Sequence, residues 1–243
     1  MRWKVSRKEF LKLAVVATMA GFDLGAAAIA RAAGPTPGAA SKASLSADEA
    51  LRQLLAGNER FAKGQPSSPR RRPEDFRALA EAQYPTAVII SCSDSRVAPE
   101  ILFDVGVGDV FVVRVAGNVV SGSGASVKGS VEYAIAELNV PLIVVMGHSS
   151  CGAVKAALKH IDARDSLPGA INDLVELIKP AVVRSKGASG DPLDRAIREN
   201  VVIGVDRLRG LEPIVAVRVK EGSVKVVGAV YDLATGKVSV VTG

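Results

Sequence analysis

The stretch Thr86-Ala-Val-Ile-Ile-Ser-Cys92-Ser-Asp94-Ser-Arg96 joins a short apolar run to a cluster of reactive side chains. A second stretch, Leu142-Ile-Val-Val-Met-Gly-His148-Ser-Ser-Cys151-Gly152, has the same arrangement. Apolar runs of this length and composition are typical of buried parallel strands. In open α/β sheets, ligands bind beyond the carboxyl ends of the strands. Both clusters therefore fall where an α/β protein builds its functional site.

Cys92, His148 and Cys151 form a ligand set for a tetrahedral zinc ion. Two thiolates and one neutral imidazole cancel the +2 charge of the ion and leave the fourth coordination position open. An open position distinguishes a catalytic zinc site from a structural one. Water bound there has its pKa lowered towards ~7, and the resulting hydroxide can attack an electrophilic carbon. The alternative for the two cysteines is a disulfide, which leaves His148 and Asp94 without a role.

Asp94 lies two residues after Cys92 and has two roles open to it. It could accept a hydrogen bond from the zinc-bound hydroxide, or it could bind zinc itself and close the site. Arg96 favours the first role, because a bidentate pair with arginine holds a carboxylate away from the metal. The structural alternative for Asp94 and Arg96 is a surface salt bridge, which contributes little to stability.

The first 32 residues are typical of an export signal. Ser6-Arg7-Lys8-Glu9-Phe10-Leu11-Lys12 resembles a twin-arginine signal with Lys in place of the second Arg, and Ala30-Arg31-Ala32 is a candidate cleavage site. We expect an export signal at 1–32, a linker rich in Pro, Gly, Ala and Ser at 33–43, and one catalytic domain at 44–243. The expected location is periplasmic or secreted. The alternatives are an uncleaved membrane anchor and a disordered leader.

The net charge argues against a nucleic-acid partner once the leader is removed. The leader carries six basic and two acidic residues, so its loss lowers the formal net charge from +6 to +2. The Arg70-Arg71-Arg72 run stands beside two prolines and predicts a solvated loop rather than a binding patch. We also expect no stable membrane association after cleavage.

Apolar patterning predicts strands that alternate with helices, and hence an α/β fold with a mostly parallel central sheet, flanking helices and an N-terminal helical arm. Ser46 and Glu49 form a capping box at the start of that arm, whose apolar stripe packs on its own domain or on another subunit. Predicted strands cover 86–91, 110–115, 142–146, 214–219, 224–231 and 237–241, with a turn at Glu221-Gly222. Predicted helices cover 74–82, 130–138, 151–159 and 191–209, with one or two more within 162–190.

Several motifs together resemble the β-class carbonic anhydrases. Besides the two site motifs, they are Gly57-Asn58-Glu59-Arg60-Phe61, the segment 108–114, Ala116-Gly117-Asn118, Glu132-Tyr133-Ala134 and the segment 228–232. The two site motifs in this order, with these segments around them, are highly specific. The resemblance implies a zinc lyase that interconverts CO2 and bicarbonate with release of a proton. It implies one zinc ion per subunit on Cys92, His148 and Cys151, with Asp94 and Arg96 as the catalytic dyad.

The resemblance also implies a homodimer or higher homo-oligomer with active sites at subunit interfaces and the N-terminal helix reaching across to the partner. In the plant-like branch of the family, a Gln, a Phe and a Tyr form the CO2 pocket. Their places fall on Gln83, Phe111 and Tyr133, and Gly152 is a further expected substrate-binding residue. The alternative for Phe111 and Tyr133 is ordinary core.

A second branch of the family has a regulatory bicarbonate site made of a Trp, an Arg and a Tyr. Arg114 and Tyr231 match two of these places, but Ile89 stands in the Trp place. We therefore expect the open-site branch, with Asp94 paired to Arg96 at neutral pH. Two other functions stay open at this point. One is hydrolysis of carbonyl sulfide or carbon disulfide on the same fold, and the other is non-catalytic binding of zinc or bicarbonate.

Overall fold

A computed structural model describes residues 45–77, 79–120, 124–163, 165, 167–187 and 189–243. These residues belong to one compact unit. The expected export signal (1–32) and linker (33–43) lie outside the described residues, so the domain boundaries stay predictions. Among the described helices, none has both the length and the apolar character that crossing a membrane requires.

The described part of the chain is built around a five-stranded sheet with the order β2-β1-β3-β4-β5. The first four strands are parallel, and β5 is antiparallel to β4. Both β1 and β3 are buried along their whole length, which explains why their sequences are continuous apolar runs. The predicted α/β fold is confirmed. The strands are β1 (Ala87–Ser91), β2 (Val110–Arg114), β3 (Leu142–His148), β4 (Lys225–Tyr231) and β5 (Val238–Thr242).

Helices cover both faces of the sheet. Within the described residues they are α1 (Ala47–Ala62), α2 (Pro73–Arg77), α3 (Pro99–Leu102), the 3-10 helix Ala116–Asn118, α4 (Ala125–Ala136), α5 (Gly152–Ala163), α6 (Ala170–Arg184), α7 (Pro192–Arg209) and α8 (Val215–Lys220). One face packs against α4, α7 and α8, and the other packs against α1 and α3. A third cluster, between α5, α6 and α7, contains Cys92 and Cys151.

The parallel register brings the two site segments together. Ser91, the last residue of β1, is paired with Arg114 on β2 and with Met146 on β3. Because these neighbouring strands end at the same edge of the sheet, Cys92 and His148 leave it side by side.

The first helix packs on the sheet of its own chain. Ser46 Oγ accepts a hydrogen bond from the Glu49 amide at 3.2 Å, which confirms the predicted N-cap. Ala50 and Leu54 are buried in the same cluster as Ile89 of β1. Of the two alternatives for this helix, the structure shows packing on its own domain. The expected reach of this helix across to a partner subunit stays a prediction.

One predicted strand is a helix. The segment 214–219, predicted as a strand followed by a Glu221-Gly222 hairpin turn, forms α8. Its alternating valines match a strand pattern, but Val215 is buried against the sheet face that α7 also covers. Gly222, with φ 72°, ends this helix and donates its amide to Val219 O at 3.0 Å. Tertiary packing has outweighed the β preference of valine.

Other helices also differ from the sequence prediction. The helix predicted from 130 begins at Ala125, α2 is confined to Pro73–Arg77, and the apolar pattern does not predict α3 at all. A proline is the first residue of both α2 and α3. Proline suits the first helical position because its φ is already helical and its missing N–H is not needed there.

Candidate metal centre

Three side chains converge at the carboxyl edge of the parallel strands. Cys92 directly follows β1, His148 is the last residue of β3, and Cys151 immediately precedes α5. Their ligand atoms all lie within 4.8 Å of one another. Each of the three residues is at most 5% exposed. The structure therefore brings together the three residues that the sequence predicts as metal ligands.

The turn between His148 and Cys151 is anchored to the end of β4. The Ser149 amide donates to Tyr231 O at 2.8 Å, and the Leu233 amide donates to Ser149 Oγ at 2.9 Å. Ser150 takes a left-handed φ of 57°, which reverses the chain within three residues. This tight turn brings the imidazole of His148 and the thiol of Cys151 to the same side of the loop, with their ligand atoms within 4.8 Å of each other.

The hydrogen bond of His148 determines which ring nitrogen can bind a metal. Nδ1 lies 2.9 Å from the carbonyl oxygen of Ser149. A carbonyl oxygen only accepts, so Nδ1 carries the proton and Nε2 carries the free lone pair of a neutral imidazole. Nε2 is buried and has no hydrogen-bond partner among the described residues. A buried, unpartnered nitrogen beside two thiols fits a metal ligand.

Both cysteines are free thiols, so the structure does not show the disulfide alternative. A hydrogen bond from Cys151 lowers the pKa of Cys92 to about 4, helped by His148 and opposed by burial. The hydrogen bond with Cys92, together with burial, raises the pKa of Cys151. Without a cation the pair therefore holds one negative charge. A bound cation allows both thiols to ionise, so the donor set fits zinc.

Asp94 stands next to this cluster but is held by Arg96. The guanidinium donates from Nε to Oδ1 at 2.9 Å and from Nη2 to Oδ2 at 2.7 Å, and the Arg96 amide also donates to Oδ1 at 3.0 Å. Oδ2 lies 3.9 Å from His148 Nε2. Hydrogen bonding by Arg96 holds the pKa of Asp94 well below its usual range, although partial burial opposes it. The carboxylate is therefore ionised, and both of its oxygens are paired with Arg96.

Arg114 is a site residue whose contact the sequence does not indicate. Its Nε donates to the carbonyl oxygen of Cys92 at 3.1 Å, and its Nη2 donates to the carbonyl oxygen of Asp94 at 2.7 Å. One guanidinium on β2 thus fixes the main chain of both motif residues. Arg114 also matches the Arg place of the regulatory bicarbonate site in the second branch of the family, and in this structure its guanidinium binds backbone carbonyl oxygens. Ile89, in the Trp place, is fully buried within the sheet.

The expected pocket residues lie in the loop before β1, on β2, on α4 and at the start of α5. The rings of Phe111 and Tyr133 have centroids 6.2 Å apart. Tyr133 is 49% exposed and so is not ordinary core, whereas Phe111 packs partly against the core. Gln83 is exposed in the loop before β1. Gly152 is also exposed, and a Cβ added there would meet nothing within 4 Å. Three of the four residues are therefore on the surface of the single chain.

Comparison with known proteins identifies the family. A family model described as "Carbonic anhydrase" matches residues 87–238. A carbonic anhydrase from Mycolicibacterium smegmatis is 43% identical over 189 residues, which cover 78% of this chain and 90% of that protein. The chain belongs to the carbonic anhydrase family. The family match includes Cys92, Asp94, Arg96, His148 and Cys151.

Solved structures give the class within the family. The β-carbonic anhydrase CcaA matches with a TM-score of 0.61 and 30% identity, covering 79% of this chain and 99% of that chain. One of two tetrameric β-carbonic anhydrases from the ascomycete Sordaria macrospora matches with a TM-score of 0.63 and 26% identity, covering 79% of this chain and 96% of that chain. The fold is that of the β class, whose members are zinc enzymes. The chain is therefore a carbonic anhydrase with a Cys/His/Cys group suited to a metal.

Proposed function

We propose that this enzyme catalyses CO2 + H2O ⇌ HCO3⁻ + H⁺ at a zinc ion held by Cys92, His148 and Cys151. The observation that carries the proposal is the position of Asp94. Its carboxylate lies 3.9 Å from the unpartnered His148 Nε2, while Arg96 holds both carboxylate oxygens. A buried ligand cluster with a carboxylate beside it, but not in it, leaves a position for a reacting oxygen.

The three ligands set the charge of the site. Two thiolates and a neutral imidazole balance a divalent cation. When bound, zinc supplies the Lewis-acid chemistry that lowers the pKa of water towards ~7. Ser149 O keeps His148 in the tautomer that binds through Nε2. The α5 amides of Ala153 and Val154 act on Cys151 to lower its pKa, against the effects of burial and of Cys92.

Asp94 and Arg96 orient the nucleophile in this proposal. Because the pKa of Asp94 is held below its usual range, the side chain is an ionised, acceptor-only group at neutral pH. Oδ2 accepts a hydrogen bond from the attacking oxygen and so directs its lone pair towards the carbon of CO2. Arg96 keeps Asp94 from becoming a fourth ligand. This arrangement supports assignment to the plant-like, open-site branch.

The CO2 pocket is proposed to form where two subunits meet. Phe111 and Tyr133 supply an apolar wall, Gln83 donates a hydrogen bond to a substrate oxygen, and the open space at Gly152 admits the substrate. Tyr133 and Gln83 are exposed in a single chain, which supports a second copy as the missing part of the wall. The tetrameric Sordaria macrospora enzymes give independent support for a homodimer or higher homo-oligomer.

Export to the periplasm is a separate proposal about residues 1–32. It is supported by the Ser6–Lys12 motif and by the Ala30-Arg31-Ala32 sequence. A twin-arginine route carries folded proteins, so the thiols would receive their metal before they meet an oxidant. Mass spectrometry of the protein from a periplasmic extract tests this. A mature chain that begins at Ala33 is expected, whereas a full-length chain confined to the cytoplasm contradicts export.

Stopped-flow CO2 hydration by the zinc-loaded mature protein, from about pH 6.5 to 9, tests the proposed chemistry. Turnover that is already substantial at neutral pH is expected, because Asp94 is paired with Arg96 and does not close the site. Activity that appears only at alkaline pH would contradict the open-site assignment. Carbonyl sulfide and carbon disulfide are measured beside CO2, and faster turnover of either one would contradict CO2 as the substrate.

A further inference from the structure

A buried amide on α7 connects this helix to the metal centre. Asn200 is 6% exposed and lies on the buried side of α7, between the core residues Ile197 and Val201. A buried amide is unfavourable unless it is hydrogen-bonded. Asn200 Nδ2 donates to the carbonyl oxygen of Gly117 at 2.8 Å, across 83 residues of sequence. The polar side chain thus ties α7 to the 3-10 helix Ala116–Asn118.

Gly117 in turn contacts a metal ligand. Its amide donates to the sulfur of Cys92 at 3.2 Å. Its backbone is left-handed, with φ 68° and ψ 18°, and a Cβ added there would lie 2.9 Å from Ile178 Cδ1. Gly117 therefore makes two hydrogen bonds on opposite sides, one to the ligand sulfur and one to Asn200.

The backbone after Gly117 needs external support. Asn118 has a φ of 45°, a conformation that is unfavourable for a residue with a side chain. Two consecutive left-handed residues persist only when their surroundings hold them. The carbonyl that Asn200 binds belongs to the peptide group joining these two residues. Asn200 thus holds the peptide group that follows Gly117. The dihedral angles of Gly117 link this group to the preceding one, whose N–H points at Cys92.

We propose that Asn200 is a positioning residue of the metal centre, which through Gly117 directs an N–H group at the sulfur of Cys92. The proposal rests on the proposed function only in that the Cys/His/Cys group binds zinc. An N–H···S hydrogen bond draws negative charge from a thiolate, and such outer partners tune both the affinity and the electronic properties of a bound metal. Without the tether the 3-10 helix relaxes and the bond to Cys92 lengthens.

The test replaces Asn200 by Leu, which has a similar size but no donor. The zinc Kd, measured by competition with a chelator, is expected to rise ~10–100-fold. With Co²⁺ in place of zinc, the thiolate-to-cobalt charge-transfer bands are expected to move to lower energy, because the sulfur carries more negative charge. Neither readout depends on catalytic turnover.

Asn58 provides the matched control. It is also a buried asparagine, 4% exposed, and it donates to Leu102 O at 3.0 Å and to Gly236 O at 2.9 Å, while its Oδ1 accepts from the Val238 amide at 2.7 Å. These partners join α1 to α3 and to the turn before β5. Asn58→Leu is expected to lower Tm while leaving the zinc Kd and the cobalt spectrum unchanged.

An unchanged zinc Kd and cobalt spectrum in Asn200→Leu would overturn the proposal. Equal changes in the two Leu variants would also overturn it, since they would reflect general destabilisation. If Asn200→Leu does not fold, Asn200→Ser, which is too short to reach Gly117 O, is judged by the same readouts. A wild-type protein that binds no zinc would instead overturn the proposed function, so the two failures are distinguishable.

Discussion

Replacing Asp94 with Asn removes the charge of the carboxylate while keeping its shape. In the wild type, Arg96 donates to Oδ1 from its amide and from Nε, and to Oδ2 from Nη2. The Asn side chain can keep the first two bonds through its Oδ1. Its NH2 group then replaces Oδ2, which in the wild type accepts from Arg96 Nη2 at 2.7 Å. One of the three accepted bonds becomes a contact between two donors. In the proposed mechanism, the nucleophile also loses its charged acceptor.

We expect Asp94→Asn to lower kcat/KM by ~10²–10⁴-fold, the range for loss of a positioned proton-handling group. That corresponds to about 3–5 kcal/mol of activation free energy, since each tenfold change in rate is about 1.4 kcal/mol. Tm should change little, because the Arg96 side chain is 55% exposed and exposed ion pairs contribute little to stability.

Stopped-flow CO2 hydration at matched zinc content is the assay for this variant. Asp48→Asn serves as the control, because Asp48 also accepts from a cation, Lys225 at 2.9 Å, but on α1 rather than beside the ligands. The control should keep wild-type kcat/KM. Wild-type turnover in zinc-loaded Asp94→Asn would refute the role assigned to the dyad. A loss of zinc from this variant would show instead that Asp94 supports the metal rather than the nucleophile.

Three further predictions follow from buried contacts. His148→Ala should abolish stoichiometric zinc binding, since it removes one of three ligands, and retention of one zinc per chain in metal analysis would contradict the ligand set. Gly117→Ala should lower the free energy of unfolding, measured by denaturant titration, by about 1–3 kcal/mol. The backbone at this position has φ 68°, and the new Cβ would lie 2.9 Å from Ile178 Cδ1. For Asp104, burial opposes ionisation, but hydrogen bonds from Ser67 and Arg60 hold its pKa below the usual range. Ionised Asp104 therefore stabilises the folded state above its unfolded-state pKa of about 3.9. This stabilisation is lost as the pH falls towards the lower pKa of Asp104 in the folded state. The Asp104→Asn variant should accordingly be less stable than the wild type at pH 7, and its free energy of unfolding should fall less steeply in acid. Parallel plots of unfolding free energy against pH for variant and wild type would contradict this.

The part of the fold that carries the ligands could be predicted because its signals are local. The strands β1 and β3 are buried on both faces, so the sequence shows continuous apolar runs that end directly before Cys92 and His148. Parallel strands share one edge, which brings the two motifs together without any further information. The prediction of a strand over 214–219 was wrong because an alternating valine pattern fits both a strand and a short helix packed on a sheet.

The outer contacts of the site could not be predicted in the same way. Arg114 and Asn200 act on backbone carbonyls, which every residue has, so no spacing of residue types indicates the partner. The Asn200 contact spans 83 residues and depends on how α7 lies against the 3-10 helix. The left-handed conformation of Asn118 leaves only a weak signal, since asparagine merely tolerates it better than most residues. Such contacts become visible only when the tertiary structure fixes the direction of each carbonyl.

Two arginines divide the control of Asp94 between its side chain and its main chain. Arg96 binds the carboxylate, whereas Arg114 binds the carbonyl oxygen of Asp94 and that of Cys92. Because the main chain is held separately, the carboxylate can change its hydrogen bonding without moving the sulfur that precedes it by two residues. The loop backbone and the Asp94 carboxylate are thus held by different contacts. In the proposed mechanism, this separation lets the loop after β1 keep Cys92 in place while Asp94 presents a hydrogen-bond acceptor to the reacting oxygen.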